Sequence, residues 1–128
     1  MKYMYIIPFL LFSTIVYAED GPKLTDRESL KFIFGKSSEE LNTALSENDF
    51  FLHAKGLEYT LTMANAQSEV EWESSTNKDL TGKVVILSLK PVNDTLCKNF
   101  MEILNIKDKK YEGNGIACVK DGQWIIDK

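Results

Sequence analysis

The stretch from Cys97 to Cys118 reads CKNFMEILNIKDKKYEGNGIAC. Two long runs rich in β-forming residues flank the polar pair Lys107-Asp108, the pattern of antiparallel strands joined by a two-residue turn. Such a turn pairs residues whose numbers sum to 215, so Ile106 faces Lys109 and Cys97 faces Cys118. If 106/109 is a hydrogen-bonded pair, alternation makes 97/118 a non-hydrogen-bonded one. There the Cα atoms stand about 4.5 Å apart, within disulfide range but near its short limit. A bulge at Gly113 or Gly115 is the alternative, because it shifts the register by one and turns the cysteines to opposite faces.

Further strands extend the hairpin in both directions. Asp121-Gly122 marks a turn, and residues 123–126 make a short last strand. Upstream, residues 81–90 hold the unbroken run Val84-Val85-Ile86-Leu87, which predicts a central strand covered on both sides and ended by Pro91. From Gln67 onward Val70 and Trp72 alternate with Glu69, Glu71 and Glu73, so this strand has one buried face and one wet, acidic face. Before residue 65 the apolar period is helical. Ser46 and Asp49 form a capping pair ahead of Phe50, Ala54, Leu57, Leu61 and Ala64, predicting a main helix over 46–64. Gly56 costs that helix about 1 kcal/mol against Ala and is expected to let another element pack closely. Thr25 with Glu28 reads as a capping box for a shorter helix carrying Leu30, Ile33 and Phe34, which Gly35 stops. The fold class is therefore α+β: N-terminal helices, the main one packed on a C-terminal antiparallel meander of about five strands with one cross-strand disulfide.

The first residues stand apart from this domain. Lys2, an apolar stretch over 5–16, and Val16-Tyr17-Ala18 before Glu19-Asp20 read as a cleaved signal peptide at 1–18. An uncleaved anchor is the alternative, although Pro8 and the short run are poor for a bilayer span. Residues 19–44 then form an N-terminal extension with a short helix, and 45–128 the α+β domain. Cleavage leaves 128 − 18 = 110 residues and, with Lys2 gone, moves the net charge from −4 to −5. An oxidising compartment favours one bridge between Cys97 and Cys118, the only two cysteines. An acidic chain lacks the clustered basic surface that nucleic acid demands. Its densest basic run, Lys107, Lys109 and Lys110, is broken by Asp108 and followed by Glu112, as a solvated turn would be.

No nucleophile elbow, phosphate-binding glycine loop, His-Glu-x-x-His helix or Cys-x-x-Cys pair occurs. His53, the one histidine, lies beside the main helix's apolar stripe, where a partly buried or surface role outweighs catalysis. Two thiolates and one imidazole fall short of a closed zinc site, and no cofactor is indicated. Glu69, Glu71 and Glu73 read as a solvated strand face rather than a cation site or paired catalytic carboxylates. Trp72 and Trp124 read as core anchors rather than sugar-stacking platforms. Asn93-Asp94-Thr95 has the form of an N-glycosylation acceptor.

The motifs Val70-Glu71-Trp72, Cys97-Lys98-x-Phe100, Gly115-x-Ala117-Cys118 and Asp121-Gly122-Gln123-Trp124 follow one another in a recognisable order. Upstream stand Leu45-Ser46-Glu47-Asn48-Asp49 and Leu57-x-x-x-Leu61. Over about residues 45–126 this resembles the C-terminal domain of the rickettsial 17-kDa surface antigen family of bacterial outer-membrane proteins. The resemblance implies an exported envelope protein without enzymatic activity, and it offers no catalytic residues. The family's lipidated cysteine and glycine zipper are absent here, so membrane association is expected only peripherally or through a partner. The expected role is a protein-interaction surface for envelope proteins, with Phe32 and Phe34 in the amphipathic segment 30–45 as partner contacts, packing of that segment on the same domain being an equal alternative, and with Trp72, Trp124 and Phe100 as structural anchors. The alternatives are a periplasmic inhibitor or accessory subunit of a secretion or pilus machine, reaching its target through the loop 74–79, and a small carbohydrate-binding or hydrolytic protein.

Overall fold

The computed structural model describes residues 21–63, 65, 68–92 and 94–127. The expected signal peptide at 1–18 and Asn93 of the acceptor triplet lie outside the described residues. The chain is an α+β domain. Helices α1 (Glu28–Phe34), α2 (Ser38–Ala44) and α3 (Glu47–Met63) precede strands β1 (Glu69–Glu73), β2 (Leu80–Leu89), β3 (Cys97–Ile106), β4 (Lys109–Lys120) and β5 (Gln123–Asp127). The strands pair in chain order as one antiparallel meander.

The hairpin at the centre keeps a single register. Ile106 faces Lys109 and Cys97 faces Cys118, with no bulge at Gly113 or Gly115. Lys90 N–H donates to the Cys97 carbonyl at 2.8 Å, so the Cys97 backbone turns toward β2 and the 97/118 pair is the non-hydrogen-bonded kind. Its Cα atoms stand 4.1 Å apart and the disulfide is formed. At the next turn Asp121 and Gly122 both take positive φ, 52° and 78°, as a tight two-residue hairpin demands.

Helical segments on one face close the core. The Ser46–Asp49 capping box forms in both directions: Asp49 N–H donates to Ser46 Oγ at 3.1 Å and Ser46 N–H to Asp49 Oδ2 at 3.2 Å. The Thr25–Glu28 box does not. Arg27 stands at the N-cap of α1 without a side-chain capping bond, and Asp26 Oδ1 takes the Glu28 N–H at 3.1 Å. The aspartate lies one residue nearer the same orphan donors. Gly35, at φ 61°, ends α1, but a 3-10 turn over Gly35–Ser37 restarts the chain as α2, so the N-terminal segment holds two short helices. Arg27 then secures the α2–α3 corner, donating to the carbonyls of Asn42, Leu45 and Ser46 and stacking 4.9 Å from the Phe50 ring centre.

Leu30, Ile33, Phe34 and Leu41 share one core with Phe50, Leu57 and Leu61 of α3 and with Val84, Ile86, Phe100, Leu104 and Ile126 of the sheet. Residues 21–44 are thus built into the same core as the rest of the domain. A Cβ on Gly113 would sit 2.3 Å from the Ile33 carbonyl oxygen, so α1 presses directly on β4 there. The run Val84–Leu87 is not covered on both sides as expected: Val84 and Ile86 are buried, whereas Leu87 is 48% exposed. With the helices on one face, alternation turns every second side chain outward, and a bulge between Ile86 and Ser88 takes Leu87 out of the ladder.

Candidate interaction surface

Alternation along β3 aims Lys98, Phe100, Glu102 and Leu104 at the helices, which puts two charged side chains on the buried face. Glu102 Oε2 lies 2.6 Å from His53 Nδ1 of α3, and both residues have 0% exposure. His53 Nε2 and Glu102 Oε1 find no hydrogen-bond partner among the described residues. His53 is therefore fully buried, not partly buried or at the surface. Sealed from solvent, this dyad ties α3 to the sheet. Lys98 Nζ, also buried, donates to the Leu61 carbonyl at 2.5 Å. The ammonium meets the last turn of α3, where unsatisfied carbonyls carry the negative end of the helix dipole.

The expected anchors flank α3. Phe100 is fully buried, and Trp72 of β1 and Trp124 of β5 are partly buried against the core. Trp72 occupies a slot made by glycines: a Cβ would lie 3.0 Å from its Cδ1 at Gly56 and 2.3 Å from its Cε2 at Gly82. The close approach expected at Gly56 is this contact. Trp124 Nε1 donates to Thr62 Oγ1 at 3.1 Å on the other side of the helix, and Lys98 Nζ stands 5.8 Å from its ring centre. Of the two phenylalanines expected at a partner surface, Phe34 lies in the core. Phe32 is partly exposed and borders a cavity of about 550 Å³ with Leu87, Asn99, Asn114, Ile116 and Asp127.

Glu69, Glu71 and Glu73 point to solvent on the sheet face away from the helices, opposite the face that takes Trp72. No single pocket can therefore use both the tryptophan and the glutamates. The loop after β1 is held firmly. Asp49, 2% exposed, accepts Ser74 Oγ at 2.5 Å, and Ser74 Oγ in turn accepts the N–H groups of Thr76 and Asn77 at 3.1 and 2.9 Å. Burial of Asp49 opposes its ionisation, but the hydrogen bonds from Ser74, Ser46 and Thr76 outweigh it and hold the carboxyl below its usual value. At the surface, Lys109 Nζ bonds both oxygens of Glu40 at 2.9 and 2.8 Å. That bond lowers the Glu40 carboxyl and raises the Lys109 ammonium.

No family model, curated protein or solved structure matches the chain. Among the described residues, no three His, Cys, Asp or Glu side chains are grouped to hold a metal ion, and no helix is long and apolar enough to cross a membrane. The buried Lys98 and Glu102 went unnoticed in the sequence. Their signal was there: both share the even-numbered face of β3 with Phe100 and Leu104.

Proposed function

We propose that this chain is a non-enzymatic, exported bacterial envelope protein whose α+β domain presents a protein-interaction surface. The supporting observation is where polar chemistry sits. The dyad His53–Glu102 is enclosed, while one sheet face and the β1 edge carry no described element. The motif resemblance to the 17-kDa surface antigens and the leader-like residues 1–18 supply the envelope half of the reading. Expression with residues 1–18 intact followed by fractionation tests export: recovery beyond the inner membrane with a chain starting near Glu19 is expected, and cytoplasmic retention at full length contradicts it. In-cell cross-linking of the exported chain tests the interaction surface, which predicts a stable envelope-protein adduct.

One observation favours the second reading, an inhibitor or accessory subunit of a secretion or pilus machine. The loop between β1 and β2 is pinned by Asp49, by the 2.7 Å Asn48–Ser75 bond and by Lys107 N–H on the Asp79 carbonyl at 3.0 Å. A rigid loop loses little entropy on binding. Substitution of Lys78, exposed in that loop, abolishes adduct formation under this reading and leaves it intact under the first.

A further inference from the structure

The two sheet edges differ in their backbone. On β5, Ile126 N–H donates to the Pro22 carbonyl at 2.9 Å and Lys23 bridges Ile125, so the chain's own residues 22 and 23 cover that edge. On β1, the Ile86 N–H donates to the Ser68 carbonyl and the Ser74 N–H to the Leu80 carbonyl. The even-numbered residues between them therefore bond to β2, and the N–H and C=O groups of Glu69, Glu71 and Glu73 point outward. Among the described residues nothing bonds to them.

We propose that the β1 edge accepts an extended, basic segment of a partner protein as an added antiparallel strand, a proposal that rests on reading the domain as an interaction module. Backbone groups of the three glutamates supply the hydrogen bonds, and their carboxylates select the charge. Residues of an incoming strand that lie opposite Glu69, Glu71 and Glu73 share their face, so lysine or arginine at every second position meets a carboxylate. Lys83 Nζ lies 3.5 Å from Glu69 Oε2 and leaves the strip net acidic. The intervening residues of the added strand turn toward α3. There Val70 is partly exposed, and Met63, 65% exposed, lies two turns beyond Gly56 on the same side of that helix. A second copy does not fit, because antiparallel β1–β1 pairing sets glutamates against one another, and like charges directly opposite destabilise a sheet.

The test uses the mature chain and two short peptides, one alternating lysine with valine and the other glutamate with valine, read by amide exchange in NMR. The lysine peptide is expected to bind, slowing exchange at Glu69, Glu71 and Glu73 and leaving Val70 and Trp72 little changed. The triple variant Glu69→Lys, Glu71→Lys, Glu73→Lys is expected to lose about tenfold or more in affinity for it and to prefer the glutamate peptide. Glu71→Pro, which removes an N–H that the ladder does not use, is expected to weaken the lysine peptide. Equal affinity for both peptides, protection away from residues 69–73, or protection of these amides by self-association each overturns the proposal. If neither peptide binds, the edge proposal falls. The interaction-module reading then falls only if the exported chain also yields no envelope adduct.

Discussion

β1 and β5 are both five-residue edge strands, and each offers one tryptophan to the helix side of the sheet. They are finished differently. The Trp72 ring fills a slot between two glycines, whereas Trp124 hydrogen-bonds to Thr62 across the end of α3. Toward the outside, β5 is covered by Pro22 and Lys23, whereas among the described residues β1 is guarded only by its glutamates. A covered edge is closed to every partner; a charged edge is closed to copies of itself and open to an opposite charge. The contrast teaches that edge protection and partner selection can come from the same side chains.

Removing the disulfide between β3 and β4, inside the sheet that these edges bound, should have the largest effect. Cys97→Ala with Cys118→Ala lowers unfolding stability by about 2 to 4 kcal/mol under oxidising conditions, measured by denaturant titration. Equal midpoints for the variant and the parent would refute a stabilising bridge. Gly82→Ala attacks the β1 side alone. The new Cβ has no room beside the Trp72 ring, so a loss of about 2 to 3 kcal/mol and a shift in Trp fluorescence are expected. Gly21→Val attacks the β5 side. Gly21 has φ 78°, and a Cβ there would lie 1.9 Å from the Ile126 carbonyl oxygen, so the covering segment lifts away. About 1 to 2 kcal/mol is lost, and the Ile126 amide, protected by Pro22 in the parent, exchanges faster.

The smallest effect is tied to pH. Asp49→Asn removes a charged cap and the loop's anchor at a cost of about 1 kcal/mol near neutrality. The folded-state carboxyl is held below its ordinary 3.8. Its contribution is present above that value and is lost as pH falls through the lowered one. Melting curves of parent and variant should therefore converge in acid, and a gap that is constant down to acid pH would contradict the carboxylate's role.

The meander was legible because its signals are local. The Lys107-Asp108 turn and the alternation 70/72 against 69/71/73 act within a strand or a hairpin, and they fixed the register that closes the bridge. Signals that depend on distant segments were not legible. Leu87 reads as core until the helices are known to cover one face only. Asp26 displaced Thr25 because two residues compete for the same amides over a single turn. The ties of Glu102 to His53 and of Lys98 to the end of α3 join residues far apart in the chain, and no local pattern specifies such partners. The cover of β5 by Pro22 and Lys23 is equally non-local, so the sequence left both edges alike.

Amide hydrogen exchange in the unliganded chain measures the difference between the edges most directly. The account predicts slow exchange at Val70, Trp72 and Ile126 and fast exchange at Glu69, Glu71 and Glu73. Protection of the three glutamate amides equal to that of Val70 and Trp72 would mean that the β1 edge is already covered, and would contradict it.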